Sequence, residues 1–381
     1  MEKVLRKIQM VDLTGQYEKI KPEVDQALGR VIASAAFING PEVKAFQSEL
    51  EYYLGGIHVI PCANGTDALQ VAMMALGLQP GDEVITADFT YAATAEVIAL
   101  LKLTPVLVDV NPGTFTISPG AIEKAITPNT KAIVPVHLFG QCADMEEIMN
   151  IARRHNLYVI EDTAQAIGAD YIFAGGQRQK AGTIGTIGCT SFFPSKNLGC
   201  FGDGGALFTR DAGLAGKIKM ICNHGQAVQY YHDEIGVNSR LDSLQAAVLR
   251  VKLKHLDEYA GARNRAADCY DKAFSGHPEI IKIPVRNPQS THVFHQYTLQ
   301  IQDNRRDGLR DYLKSMEIPS MIYYPVPLHL QKAYQNKRYK QGDFPVTENL
   351  CSSVLSLPMH TELDGNTLEY ITSSVLKYFT H

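Results

Sequence analysis

Short runs of aliphatic and β-branched residues recur along the first two-thirds of the chain, separated by amphipathic stretches. His58–Cys62, Glu83–Thr86, Pro105–Val110, Lys131–Val136, Tyr158–Glu161, Thr190–Phe193 and Ala206–Thr209 read as buried strands. Helical patterns lie between them. Leu69, Ala72, Met73 and Leu76 share one helical face, for example. Strands alternating with helices predict an α/β fold, a mostly parallel sheet covered by helices on both faces.

Beyond Arg240 the pattern changes. Leu241, Leu244, Val248, Val251 and Leu256 fall near one stripe of a predicted long helix. Next come a helix, a strand around His292–Ile301, a helix over Arg306–Ser315, and a last helix carrying Leu368, Ile371, Val375 and Tyr378 toward a core. This predicts a large domain over residues 1–257 and a smaller C-terminal α+β domain over 258–381. A length of 381 residues, at about 150 per domain, agrees with two or three such units.

Composition removes several function classes. Thirty-six Lys and Arg against 40 Asp and Glu leave a net charge of −4, with no long run of one sign. No broad basic face for nucleic acid follows from that. The longest apolar run, Val71 to Leu76, is far short of the roughly 20 residues of a spanning helix. The start, MEKVLRKIQM, mixes both signs and has no apolar core of a signal peptide. Seven scattered cysteines without a CxxC read as free thiols in a reducing compartment. The expectation is a cytoplasmic protein with no membrane partner.

Ligands of open α/β sheets bind at strand ends, so candidate chemistry is sought there. Asn64-Gly65-Thr66-Asp67 suits a helix start, either as a plain cap or as an anion site. Asp162 follows the apolar run Tyr158–Ile160. A carboxylate there needs a cation or serves as a cap. Ser191 to Lys196, SFFPSK, places a lysine between aromatics and the glycines at 199, 202, 204 and 205. A confined ammonium loses charge more easily and becomes a nucleophile, whereas an exposed one is plain surface. Tyr91, after the strand Val84–Thr86, can stack on a flat ligand or belong to the core. No P-loop and no GxSxG elbow occurs, and His292 with His295 lacks the context of a metal site, so no metal is expected. A lysine amine, a buried carboxylate, a phosphate cup and a flat side chain are together what pyridoxal phosphate chemistry requires.

Longer motifs carry a resemblance. VDLTGQY at Val11, CANGTDAL at Cys62, PGDEVITADFTYAAT at Pro80, HLFGQCADM at His137, EDTAQAIGA at Glu161, CTSFFPSKNLGCFGDGGA at Cys189, GVNSRLDSLQAA at Gly236 and YYPVPLH at Tyr323 span nearly the whole chain. With these the sequence resembles the DegT/DnrJ/EryC1/StrS sugar aminotransferases, which have the fold-type I architecture of aspartate aminotransferase. The resemblance implies pyridoxal 5′-phosphate as cofactor, passing through pyridoxamine 5′-phosphate during turnover. Position by position it implies Lys196 as the Schiff-base lysine and Asp162 as partner of the ring nitrogen. Gln165 is implied at the 3-hydroxyl, Gly65, Thr66 and Ser191 at the phosphate, and Tyr91 on the ring. Asn238 is implied to reach the phosphate from a partner subunit, so that a homodimer shares its active sites. Arg240, Tyr323 and Tyr324 fall where the family contacts substrate. Lys196 also sets the chain apart from relatives that dehydrate at C3, which carry histidine there.

The implied substrates are L-glutamate and a nucleotide-linked keto sugar, aminated at C3. CANGTDALQ, GQCAD and SFFPSKxLGC read like enzymes acting on UDP-2-acetamido-2-deoxy-3-oxo-glucuronate. A dTDP-3-oxo-6-deoxyhexose, another nucleotide ketosugar aminated at C4, or a cyclitol-type ring stand as alternatives. Such enzymes usually have His-Tyr-Pro where this chain has Tyr323-Tyr324-Pro325. A tyrosine cannot become a cation near neutral pH, which shifts weight toward a neutral hexose. A reading of another class, a non-catalytic regulator on the same fold, has no need of both Lys196 and Asp162.

Overall fold

The structure is a computed structural model describing residues 7–335 and 337–380. The charged start of the chain, residues 1–6, lies outside the described residues. Two helices open the fold, α1 (Leu13–Ser34) and α2 (Pro41–Tyr53). The large sheet is then built from β1 (His58–Cys62), α3 (Gly65–Ala75), β2 (Glu83–Ala87), α4 (Ala93–Leu100), β3 (Thr104–Val108), α5 (Pro119–Ala125), β4 (Thr130–Val134), α6 (Met145–His155) and β5 (Tyr158–Asp162). A short hairpin, β6 (Asp170–Ile172) and β7 (Arg178–Lys180), precedes β8 (Ile187–Ser191), β9 (Gly205–Thr209) and α7 (Ala212–Cys222).

Strand order is β1-β9-β8-β5-β4-β2-β3. The pairs from β3 across to β8 are parallel, and β9 runs antiparallel to both β8 and β1. The alternation in the sequence thus produces the predicted mostly parallel sheet. Six of the seven predicted strands coincide with observed ones to within a couple of residues. The seventh is shifted. β8 ends at Ser191, and Phe193 is 51 % exposed in the loop beyond it. Two adjacent aromatics suggest a strand there, but Pro194 cannot donate to a ladder. The sheet is buried on both faces. Ile85, Val106, Ile133 and Val159 enter one core, and Val84, Ala132, Ile160 and Leu207 enter the other, as the period of two requires.

The hairpin β10 (Gln226–Val228) and β11 (Tyr231–His232) leads to α8 (Ser243–Leu253) and α9 (Leu256–Phe274). The single long helix predicted over 241–256 is therefore two helices. Leu241 precedes the first and Leu256 begins the second. One hydrophobic stripe is kept, but the helical bonds lapse at Lys254 and His255, which periodicity does not reveal.

The remaining elements are β12 (Ile281–Lys282), β13 (Tyr297–Ile301), α10 (Arg306–Ser315), α11 (Pro345–Ser353), β14 (Val354–Leu357) and α12 (Gly365–Phe379). β12, β13 and β14 form an antiparallel sheet, and β13 is shorter than the predicted strand because residues 292–296 turn away into the site. Phe274, Leu299, Leu309, Leu355, Ile371 and Val375 close a separate core around it. Between α10 and α11 the chain returns to the large sheet. Leu328 and Phe344 pack there against Ala95 and Leu107. No helix among the described residues is long and apolar enough to cross a membrane.

Candidate active site

The site forms where the parallel strands end. Between β1 and α3, Asn64 caps the helix by accepting the Asp67 amide at 2.8 Å. The first amides of a helix have no partner within it, so those of Gly65 and Thr66 are offered outward. The turn sits tightly on neighbouring strands. A Cβ on Gly65 would lie 2.6 Å from Cβ of Ser191, and one on Gly205 would lie 2.4 Å from the Asn64 carbonyl. Glycine at both places lets the helix start settle between the ends of β8 and β9. The Ala63 amide, donating to Ser239 Oγ at 3.1 Å, holds the turn from the other side.

β5 ends in two acids whose side chains point to opposite faces. Glu161 is fully buried under the sheet. One of its oxygens accepts from His137 Nε2 at 2.9 Å and the Gly182 amide at 2.9 Å. The other accepts from the amides of Ile184 at 2.7 Å and Gly185 at 2.5 Å. This carboxylate is saturated and organises the 182–185 loop. Asp162 faces the site instead. The Ala164 amide donates to Oδ1 at 3.1 Å and Thr94 Oγ1 donates to Oδ2 at 3.0 Å. Burial pushes its acid strength down, raising the pKa, while those two donors and the charges of Lys196 and His137 oppose the rise.

Lys196 lies in the loop between β8 and β9. Burial pulls its ammonium pKa down to about 8, against the attraction of Asp162, which raises it. The pull of burial wins because, among the described residues, no carboxylate pairs directly with the amine. The sequence left open whether this lysine is confined or exposed, and the structure shows its side chain half-buried, with the amine desolvated enough to lower its pKa. The neighbouring Asn197 donates from Nδ2 to the Val293 carbonyl at 2.8 Å. Its Oδ1 and the Nδ1 of buried His295 have no hydrogen-bond partner. Lys196 and Arg263 reinforce the burial that keeps His295 far below its ordinary pKa.

On the other wall, Gln165 Oε1 accepts the Phe139 amide at 2.8 Å, and its Nε2 donates to Tyr324 OH at 3.2 Å. The Tyr324 ring lies 5.9 Å from Phe89 and 6.4 Å from Tyr91. Phe89 is the core aromatic of that loop, and Tyr91, 63 % exposed, is the open one. Tyr323 is half-buried, its ring 5.9 Å from that of Tyr324, and burial raises its pKa. Lys196, Asp162, Gln165, Tyr91, Tyr324 and the cup of Gly65, Thr66 and Ser191 thus come together. Asn238 is exposed and Arg240 half-buried in the loop before α8. No hydrogen bond among the described residues joins either side chain to this cluster.

Several contributors lie inside the quoted motifs but have no role assigned from the sequence. Thr94 is one alanine-flanked threonine inside α4, yet it orients Asp162. Asp88 is buried and accepts from His329, which lies 241 positions away. Burial raises its pKa to about 6. His292 stacks on Phe294 at 3.8 Å, and among the described residues no cluster of His, Cys, Asp and Glu is arranged to hold a metal ion.

The donor set fits pyridoxal phosphate. Two glycines seat a helix start whose first amides face outward, a buried carboxylate has no ion-paired cation among the described residues, and a lysine has its pKa lowered. A family model described as the DegT/DnrJ/EryC1/StrS aminotransferase family matches residues 18–376. A pleiotropic regulatory protein of Geobacillus stearothermophilus is 44% identical over 98% of this chain and 99% of its own. A UDP-2-acetamido-2-deoxy-3-oxo-D-glucuronate aminotransferase of Pseudomonas aeruginosa is 44% identical over 97% of this chain and 99% of its own. The crystal structure of NtdA from Bacillus subtilis with the bound cofactor PMP superposes with a TM-score of 0.91 at 30% identity, covering 100% of this chain and 87% of that one.

Proposed function

Because this chain belongs to the DegT/DnrJ/EryC1/StrS aminotransferase family and is a pyridoxal-phosphate-dependent sugar aminotransferase, we propose that it moves the amine of L-glutamate onto the C3 ketone of a nucleotide-linked sugar, a UDP-linked 2-acetamido-3-oxo-glucuronate in the first place. The observation that carries transamination is the confined Lys196 facing buried Asp162 beside the glycine-lined helix start. Near full-length similarity to the Pseudomonas enzyme supports the uronate. Tyr323, which brings no positive charge, favours a neutral hexose such as a dTDP-3-oxo-6-deoxyhexose as the second reading.

When bound, pyridoxal phosphate supplies an electron-withdrawing ring that accepts an amine from one substrate and returns it to another. The residues divide the remaining work. Lys196 Nζ, with its lowered pKa, attaches the cofactor and takes up and returns protons beside the substrate carbon. Asp162 keeps a negative charge against the ring nitrogen, oriented by Thr94 and Ala164. The amides of Gly65 and Thr66 and the Ser191 hydroxyl hold the phosphate. Gln165 fixes the ring edge, and Tyr91 and Tyr324 cover it from water. A purely regulatory role asks for neither the lowered lysine nor the buried carboxylate.

The site is completed in a homodimer, by Asn238 and Arg240 of the partner subunit. Phe193 and Phe201, on either side of Lys196 in sequence, are 51% and 41% exposed, and Tyr230 and Ile235 are more so. Apolar rings left open around a site suit a covering second copy.

The substrate test incubates the purified enzyme with glutamate and either the UDP-linked uronate ketone or a dTDP-linked ketosugar, with products read by mass spectrometry. Amination of the dTDP sugar alone would replace the first reading by the second. Mixing Lys196→Ala with Asn238→Ala subunits should restore about a quarter of wild-type activity, since half the dimers are hybrids with one intact site. No recovery on mixing would refute the shared site.

A further inference from the structure

Tyr324 reaches the site on a segment reading Tyr323-Tyr324-Pro325-Val326-Pro327-Leu328-His329-Leu330. Five residues after Tyr324, His329 is fully buried, as is Asp88, which it meets. The His329 amide donates to Asp88 Oδ1 at 2.8 Å, and its Nδ1 lies 2.6 Å from Asp88 Oδ2. The Leu328 amide donates to the Asp88 carbonyl at 3.3 Å. His329 Nε2 stands 3.3 Å from Glu348 Oε1 without a hydrogen bond to it, and that oxygen accepts the Gly342 amide at 2.7 Å. The edge of Phe344 closes the pocket at 4.7 Å from the imidazole.

Asp88 in turn is three residues before Tyr91. One carboxylate therefore joins the two chain segments that carry the two tyrosines of the site. The link between latch and tyrosine is stiff. Pro325 and Pro327 fix their own φ and restrict the residues before them. Leu328 is buried against Ala95, Leu107 and Phe344. A displacement at His329 has little soft backbone to absorb it before Tyr324.

We propose that His329 is a positioning residue of the transfer reaction: seated on Asp88, it latches the Tyr323–Leu330 segment to the end of β2 and sets where Tyr324 stands beside Tyr91 and Gln165, and with it the wall of the site that meets the sugar. The part concerning the sugar rests on the function proposed above. The latch itself rests only on the geometry of Asp88 and His329.

Two substitutions separate positioning from mere packing. His329→Leu fills the pocket without a donor. His329→Asn places an amide N–H near the position of Nδ1 and keeps the bond to Asp88. The holoenzyme of each is compared with wild type by amide hydrogen exchange and by steady-state kinetics with glutamate and the UDP-linked keto sugar. His329→Leu should accelerate exchange in residues 323–330 about tenfold or more and raise KM for the sugar about tenfold, with kcat within about threefold. His329→Asn should return both toward wild type. Unchanged KM in His329→Leu, or an Asn variant no better than the Leu variant, overturns the proposal. If His329→Leu does not fold, Asp88→Asn takes its place with the same two readouts. If the wild-type enzyme does not turn over the sugar, it is the substrate reading that has failed. The exchange data and the KM for glutamate, followed through the cofactor's visible absorbance, then decide the latch with the same outcomes.

Discussion

Replacing Gly65 by alanine should weaken cofactor binding as well as the fold. The new Cβ would stand 2.6 Å from Ser191 Cβ and 3.2 Å from Ser191 Cα, where ordinary contact begins at 3.4 Å. Either the start of α3 or the end of β8 must move by about 0.8 Å in a close-packed region. Neither side is free to do so. Asn64 caps the helix through the Asp67 amide, and the Ala63 amide is tied to Ser239. Ser191 is paired within the β8–β9 ladder to Gly205, itself packed on the Asn64 carbonyl. Overpacking of this size costs about 1–3 kcal/mol. Part of it is relieved by displacing the amides of Gly65 and Thr66 from the phosphate position, where each charge-assisted bond contributes about 1.5–3 kcal/mol. At 1.4 kcal/mol per decade, the dissociation constant for pyridoxal phosphate should rise about 10- to 100-fold. The measurement is a titration of apoenzyme with the cofactor, followed by its absorbance, beside an unfolding curve of the apoenzyme. A dissociation constant within twofold of wild type would refute the placement of the phosphate at this helix start.

The lowered pKa of Lys196 makes a prediction about pH. The amine reacts only when unprotonated, so capture of added pyridoxal phosphate by apoenzyme, trapped with borohydride at Lys196, should speed up as pH rises and level off above about 8. A rate still climbing through the ordinary lysine range, near 10.5, would show that the amine is not confined. Glu161→Gln should destabilise the protein by about 3 kcal/mol, read from the denaturant midpoint, because an NH2 replaces an oxygen that accepts two donors in a buried site. A change under about 1 kcal/mol would contradict that network. Tyr324→Phe removes only the hydroxyl paired with Gln165. It should leave cofactor affinity within about tenfold and raise KM for the keto sugar more than that for glutamate, as measured by initial rates.

Strand positions, sheet class and the chemistry-bearing residues were legible in the chain itself. β-branched runs must be buried on a sheet whatever their partners are, so six of the seven strands of the large sheet follow from local pattern and β8 is found only with a shift. The candidate cofactor residues were legible for a similar reason. Each sits within a few positions of a strand end, so Gly65, Asp162, Ser191 and Lys196 are marked by short motifs. Helix continuity was less visible. One stripe of leucines and valines serves two helices as well as one, and the break at Lys254 and His255 leaves the pattern intact.

Tertiary structure decided what surrounds each of two adjacent acids. Asp162 is the one the sequence singles out, and the side of β5 on which each lies leaves Glu161 saturated by His137 and three amides while Asp162 meets only Thr94 and Ala164. It also decided the environment of Lys196, because desolvation depends on what packs around an amine from distant segments. The bonds from Thr94 to Asp162, from Gln165 to Tyr324 and from His329 to Asp88 span 68, 159 and 241 positions. Pairings at such separations leave no periodic trace in a single chain. The sequence determines which residues can meet a cofactor, and the packing of distant segments determines how each is charged, oriented and held.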